Sequence, residues 1–286
     1  MSKSNENYHR DHSPNKPISL TSDYLLLEYY VKKRSLRDIG NDCGFSRATV
    51  SNWLRYYEIP TRSSKDLIKR INSDFFSKIN PDSAFLLGYI FMDGDLQHNL
   101  KTDKYFLRLY GKYKDNLVMV LNLLQAEAII QHRKAVLNEK IRQGELYFIH
   151  IADEKIISDL VSLGMIHNKN SYIKFPDIHK DYINHFIRGC WAGSGCEWFG
   201  KKGAINSKFV SGSIDFITRL EEELNKAGLK KRNIYKNKHS KSPSFYFTYA
   251  TEESGKLYSY LYKGSNSTNT INRHTEAFEK AFGQII

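Results

Sequence analysis

The chain has 286 residues, 41% of them hydrophobic and 13% aromatic, so length and composition predict a folded protein of one large domain or two to three small ones. Lysine and arginine number 43 against 31 aspartates and glutamates, a formal charge of +12. That balance excludes an acidic solvating chain and favours an anionic partner, nucleic acid or an anionic surface. No apolar run reaches the ~18 residues of a membrane-spanning helix. Met1 to Pro17 is polar and lacks the apolar centre of a secretion signal, so an intracellular, cytoplasmic or nucleoid-associated protein is expected. Cys43, Cys190 and Cys196 form neither a disulfide framework nor a Cys-x-x-Cys zinc clip and read as free thiols.

Residues 1–20, rich in Ser, Asn, His, Lys and Pro, read as a disordered basic tail. Residues 21–64 read as helices. Leu25, Leu26, Leu27 and Tyr30 begin an apolar face, and Lys32-Lys33-Arg34 suits a helix C-terminus. Ser35 and Ser46 are N-cap residues, and Gly44 supplies the positive φ of a short turn between two helices. Leu36 and Ile39 face inward from the first of these; Val50, Trp53 and Leu54 face inward from the second. The unit resembles a helix-turn-helix. Its second helix would present Arg47, Thr49, Ser51, Asn52 and Arg55 to a major groove, where Arg suits guanine and Asn suits adenine.

Residues 65–80 read as a polar helical linker that closes at Asn80-Pro81, with Pro81 at the first position of a new helix. Beyond it the pattern doubles. Phe85 to Asp95 is an apolar run ending in an acidic glycine turn, and Phe186 to Gly195 has the same shape. Strand-like 105–110 matches 207–210, and helical 115–124 matches 214–227. Strands over 128–134 and 146–151 match 233–238 and 244–249, and helices over 155–163 and 252–262 close the two halves. The expected core is therefore α+β, an αββαββα unit repeated as a pseudo-dimer over 81–180 and 181–286, with an extra helix from about Asn272 and a small all-α domain in front.

Glycine inside a helix costs about 1 kcal/mol against alanine. Gly88 and Gly189 therefore predict a close approach of two helix backbones. Asp93 and Asp95 flank Gly94, which reads as a helix C-cap. Carboxylates are disfavoured at that negative end, which points to a compensating cation. Mg2+ fits, because it takes one or two carboxylates and keeps several waters. Period-two alternation in the later strands places Arg133 and Lys134, and Lys231, Arg232, Lys236 and Lys238, on faces able to meet phosphate.

Leu86 to Gly94, Ile187 to Gly195, and Gly164 to Asn170 leading to Phe175-Pro176, together resemble the single-chain LAGLIDADG homing endonucleases. The resemblance implies two motif helices packed at the centre, two sheets forming a saddle on double-stranded DNA, and Mg2+-dependent phosphodiester hydrolysis by a monomer. It implies a metal at Asp93 and Gly193, with Lys169 and Arg273 as catalytic cations. Ser194 stands where the second acid is expected, and Ala192 stands where many members carry another. Serine cannot replace a bridging carboxylate, so Glu197 is the candidate to restore the missing charge. The alternatives are a cleavage-dead DNA-binding regulator and an RNA-binding splicing helper, the latter disfavoured because the A-form major groove is too narrow for a recognition helix.

Overall fold

The computed structural model describes residues 20–32, 34–59, 61, 68–99, 103–135, 144–167, 169–200, 203–266 and 269–283. The chain divides into two compact units, Met1–Ser63 and Ser64–Ile286. The expected tail over 1–20 lies outside the described residues except for Leu20.

In the first unit, helix α1 (Ser22–Leu25) runs on as a π-helix over Leu26–Val31 and is followed by α2 (Leu36–Cys43) and α3 (Arg47–Tyr56). The hydroxyls of Ser35 and Ser46 accept the amides of Asp38 and Thr49, each at 3.1 Å. Gly44 closes α2 in the left-handed conformation, φ 73°. Leu25, Tyr29, Ile39, Val50 and Leu54 form the core, with Trp53 packed at its margin. The basic run after the first helix has a more specific task than the helix dipole. Buried Glu28 is gripped by Lys32 at 2.5 Å and Arg34 at 3.0 Å, and Arg34 also pairs with Asp42.

The second unit begins with strand β1 (Ile68–Arg70), which pairs antiparallel with β4 (Glu127–Ala128). A helix is absent from 68–80, contrary to the sequence expectation: the Asn72 amide bonds the Leu124 carbonyl at 2.8 Å, and Ser73 bonds Asp153 at 2.8 Å, so tertiary partners replace the helical ladder. Residues 62–67 lie outside the described set.

The first repeat runs α4 (Pro81–Asp93), β2 (Gly94–Asn99), β3 (Lys104–Gly111), α5 (Lys114–Leu123), β4, β5 (Gln131–Ala135), β6 (Gly144–Ile151) and α6 (Glu154–Ser162). The second runs α7 (Ile183–Ser194), β7 (Gly195–Phe199), β8 (Ile205–Ser211), α8 (Ile214–Lys226), β9 (Tyr235–Lys236), β10 (Phe245–Tyr249) and α9 (Thr251–Tyr262), with α10 (Asn272–Phe282) behind it. Each repeat builds one antiparallel four-stranded sheet of the same order, β2-β3-β6-β5 and β7-β8-β10-β9. Alternation sorts the faces: Ile205, Ser207, Phe209 and Ser211 are buried, whereas Asn206, Lys208 and Val210 are half-exposed. Gly94 caps α4 as expected, with Asp93 the last helical residue; its backbone is extended, φ −80° and ψ 149°, so the chain passes from α4 directly into β2.

Helix α4 starts at a capping box in which the Asn80 side chain accepts the Asp82 and Ser83 amides while Ser83 Oγ accepts the Asn80 amide. Ser83 to Phe91 are all buried, as expected of a helix enclosed on every side. Its closest neighbour is α7. A Cβ built on Gly88 would stand 2.0 Å from the Phe186 carbonyl oxygen, and one on Gly189 would stand 1.9 Å from that of Phe85. The two sites are reciprocal, each glycine facing the carbonyl of the partner helix. Gly88→Ala should therefore destabilise the second unit by about 3 kcal/mol or more, because the obstructing atom is backbone and cannot rotate away. Urea unfolding followed by far-UV circular dichroism checks this; a loss below about 1 kcal/mol would show that the helices can part freely.

Candidate active site

The crossing of α4 and α7 brings the ends of both helices together. Asp93 is the last residue of α4, and a Cβ on Gly193 would stand 2.6 Å from Met92 Cβ and 3.4 Å from Asp93 Cγ. The carboxyl of one half thus rests against the backbone of the other. Ser194 ends α7 as Asp93 ends α4. Asp95 does not share the helix end. It lies on β2 opposite Arg108 and accepts from Gln97 Nε2 at 2.5 Å.

The negative end of α4 is held by Lys169, which is 7% exposed. Its ammonium donates to the carbonyls of Ile90, Phe91 and Met92 at 2.9, 2.6 and 3.0 Å. Three acceptors use all three hydrogens of the charged form. Burial pushes the Lys169 ammonium down to about 7, while Asp93 and Asp95 support the charge. The end of α7 is held differently. Arg273 Nη2 donates to the Ala192 carbonyl at 3.2 Å, and His274 Nε2 lies 3.3 Å from the same oxygen.

Burial raises the Asp93 carboxyl to about 6, against the opposing pull of Lys169, Tyr89, Arg273 and His274. Tyr89 is one turn back on the same helix; burial and the Asp93 charge push its phenol well above the ordinary range. Sequence reasoning does not single out Tyr89, although its i, i+4 spacing from Asp93 is a readable signal. Among the described residues no group of three His, Cys, Asp or Glu side chains forms a ready metal cage. A single half-buried carboxylate beside a backbone segment is compatible with a hydrated divalent cation that keeps most of its shell as water.

The remaining candidates divide. Both carboxylate oxygens of Glu197 are occupied, by Trp191 Nε1 and His274 Nδ1, each at 2.6 Å. Lys231, Lys236 and Lys238 are exposed, but Arg232 turns over the ring of buried Tyr249 at 5.4 Å. Arg133 and Lys134 have backbones in β5; their side chains lie outside the described set. In the first unit Arg47, Asn52 and Arg55 are exposed, Ser51 is half-buried, and the Thr49 hydroxyl is engaged with that of Ser46 at 2.9 Å.

Asp93 should cost stability. Its folded pKa lies above the unfolded value, so the folded state holds the proton more tightly. The stability this group contributes is full below about pH 4, declines as pH rises, and is lost above about 6. Asp93→Asn should therefore be more stable than the parent at pH 7.5, by on the order of 2 kcal/mol, with the difference shrinking toward pH 4. Denaturant melts at the two pH values test it; a variant that is less stable at pH 7.5 would show that the carboxylate is already compensated.

No protein-family model and no curated protein matches the sequence. Among solved structures, the chain is similar to the homing endonuclease I-WcaI bound to its DNA recognition sequence, with TM-score 0.52 and 15% identity over 76% of this chain and 97% of that one. It is also similar to the LAGLIDADG homing endonuclease I-LtrWI bound to target DNA, with TM-score 0.40 and 11% identity over 75% of this chain and all, 100%, of that one. At 15% identity the first likeness is one of fold, and it coincides with the paired sheets and crossed helices described above. The chain has the fold of the LAGLIDADG homing endonucleases.

Proposed function

We propose that the chain is a single-chain, site-specific double-stranded DNA-binding protein that hydrolyses phosphodiester bonds with Mg2+ and nicks one strand. The observation that carries this reading is the helix joint, which has one half-buried acid, Asp93, where the repeat offers two places and fills the other with Ser194. The fold of a protein solved on its DNA recognition sequence, and a charge of +12, support duplex DNA as the partner.

Asp93 and the backbone at Gly193 would hold the metal, which supplies a more acidic water and charge stabilisation for the departing oxygen. The chain's own residues do the rest. Lys169 neutralises the end of α4, so that the Asp93 carboxylate can ionise there. Exposed Arg273 presents a guanidinium on the same side as Asp93, where it can meet a phosphate oxygen. Lys208 on β8, with Lys231, Lys236 and Lys238, adds phosphate neutralisation on the second half. Helix α3 acts as an auxiliary reader through Arg47, Asn52 and Arg55.

The second reading, a DNA-binding regulator without cleavage, is favoured by one observation: neither Ala192 nor Ser194 offers a carboxylate. The test begins with duplexes selected by binding in Ca2+, cloned into a supercoiled plasmid and incubated with Mg2+ or EDTA. Open circles that require Mg2+ and vanish in Asp93→Asn are expected. Linear product would show two working sites and overturn the one-acid reading, and an intact plasmid under tight binding would establish the regulator. For the auxiliary reader, Arg47→Ala and Arg55→Ala should each weaken duplex binding. If the residue neutralises one phosphate, the slope of log affinity on log salt should become shallower by about 1. An unchanged affinity for both variants would remove the first unit from the interface.

A further inference from the structure

Around the end of α7 four polar side chains form one connected network. Trp191 closes over Gly195, where a Cβ would stand 2.3 Å from the indole Cδ1 and 2.4 Å from Nε1. That placement lets Trp191 Nε1 donate to Glu197 Oε1 at 2.6 Å. The other oxygen of Glu197 meets His274 Nδ1 at 2.6 Å, and the two side chains are 4% and 3% exposed. With Nδ1–H given to the carboxylate, His274 Nε2 is left to accept from Arg273 Nε, 3.1 Å away. Arg273 in turn reaches the Ala192 carbonyl at 3.2 Å, the Tyr113 ring of the first repeat at 5.9 Å, and the Asp93 carboxyl through its charge. The indole and the carboxylate are buried, and the exposed end of the network is the guanidinium.

We propose that Glu197 is a positioning residue that acts through His274 to fix Arg273 beside Asp93, and that it is not a substitute metal ligand for the acid missing at position 194. The inference deepens the nuclease reading above and rests on it for the role of Arg273; the geometry of the network stands independently. Two facts separate positioning from ligation. Each carboxylate oxygen already accepts one strong hydrogen bond, so a metal would compete there with the Trp191 indole and the His274 imidazole. The carboxylate also sits behind α7's last turn, on β7, opposite Ser207 of β8 on the buried side of the sheet. A long, flexible guanidinium loses rotamer freedom when it is held in one place, and a buried carboxylate–imidazole pair is a rigid means of holding it.

The test uses the full chain and the selected plasmid site, with Glu197→Gln, Arg273→Gln and the double variant. Gln keeps the shape and can still accept from Trp191. Glu197→Gln should slow single-turnover nicking by about tenfold or more, leaving the Mg2+ concentration for half-maximal rate and the affinity for DNA in Ca2+ unchanged. In the Arg273→Gln background the same substitution should have almost no effect, because its route of action is gone. A large rise in the Mg2+ requirement, or additive losses in the double variant, would overturn the proposal in favour of a direct role for Glu197. A parental rate in Glu197→Gln would overturn it as well. A second readout does not require cleavage. In 1H–15N spectra the Arg273 Nε–H should be slow to exchange in the parent and fast in Glu197→Gln, with the circular dichroism melt retained. If the parent protein leaves the plasmid intact, the nuclease reading has failed, and the positioning claim stands or falls on that resonance alone: equal exchange in both proteins refutes it.

Discussion

Gly88 and Gly189 set the distance between α4 and α7, and the site exists only at that distance. Each glycine lies against a carbonyl of the opposite helix, Phe186 for one and Phe85 for the other. The cost of glycine inside a helix is repaid by an approach that no larger residue permits. Five residues beyond each glycine the helices end, so the same crossing that joins the halves places Asp93 against Gly193. Without the joint, an acid from one repeat and a backbone segment from the other would not share a site.

Bringing two helix ends together concentrates two partial negative charges in one place, and a carboxylate adds to them. The two repeats answer that problem with different chemistry. On α4 a compact ammonium, Lys169, reaches three carbonyls directly. On α7 a guanidinium donates to the Ala192 carbonyl and to the His274 imidazole, and a buried glutamate stands behind them. The backbone is symmetric, with identical strand order in both sheets, but the electrostatics are not. Asp93 sits between these devices, and its raised pKa is the residual cost of burial after the cations have acted.

Much of this architecture is legible in the sequence because it depends on local pattern. The serine caps, Gly44, Pro81 and the doubled apolar runs each carry a backbone requirement in a single residue or spacing. The helix glycines are legible for the same reason, since a cost without local explanation signals a neighbour. What escapes is through-space. The strand at 68–70 pairs with Glu127–Ala128, and the segment after it is held by Asn72 at Leu124 and Ser73 at Asp153; nothing in the local sequence announces these partners. Arg232 reads as a surface cation from its alternation and folds over Tyr249 instead. Glu197 reads as a spare acid near the second motif. Only the fold of Trp191 across Gly195, and the return of α10 with His274, show that its oxygens are already committed.

The passage from α4 into β2, and from α7 into β7, has a mechanical consequence. Asp93 ends a helix and Gly94 begins a strand with no intervening loop, as Ser194 and Gly195 do. A loop would act as a hinge and absorb small displacements of the sheet. Here the sheet and the acid form one lever, so a shift of β2 by a fraction of an ångström arrives at the carboxylate nearly undiminished. A surface that seats the sheet imperfectly therefore misaligns the acid as well, and fidelity in such a device would be expressed in the speed of the chemistry before it is expressed in the tightness of the grip.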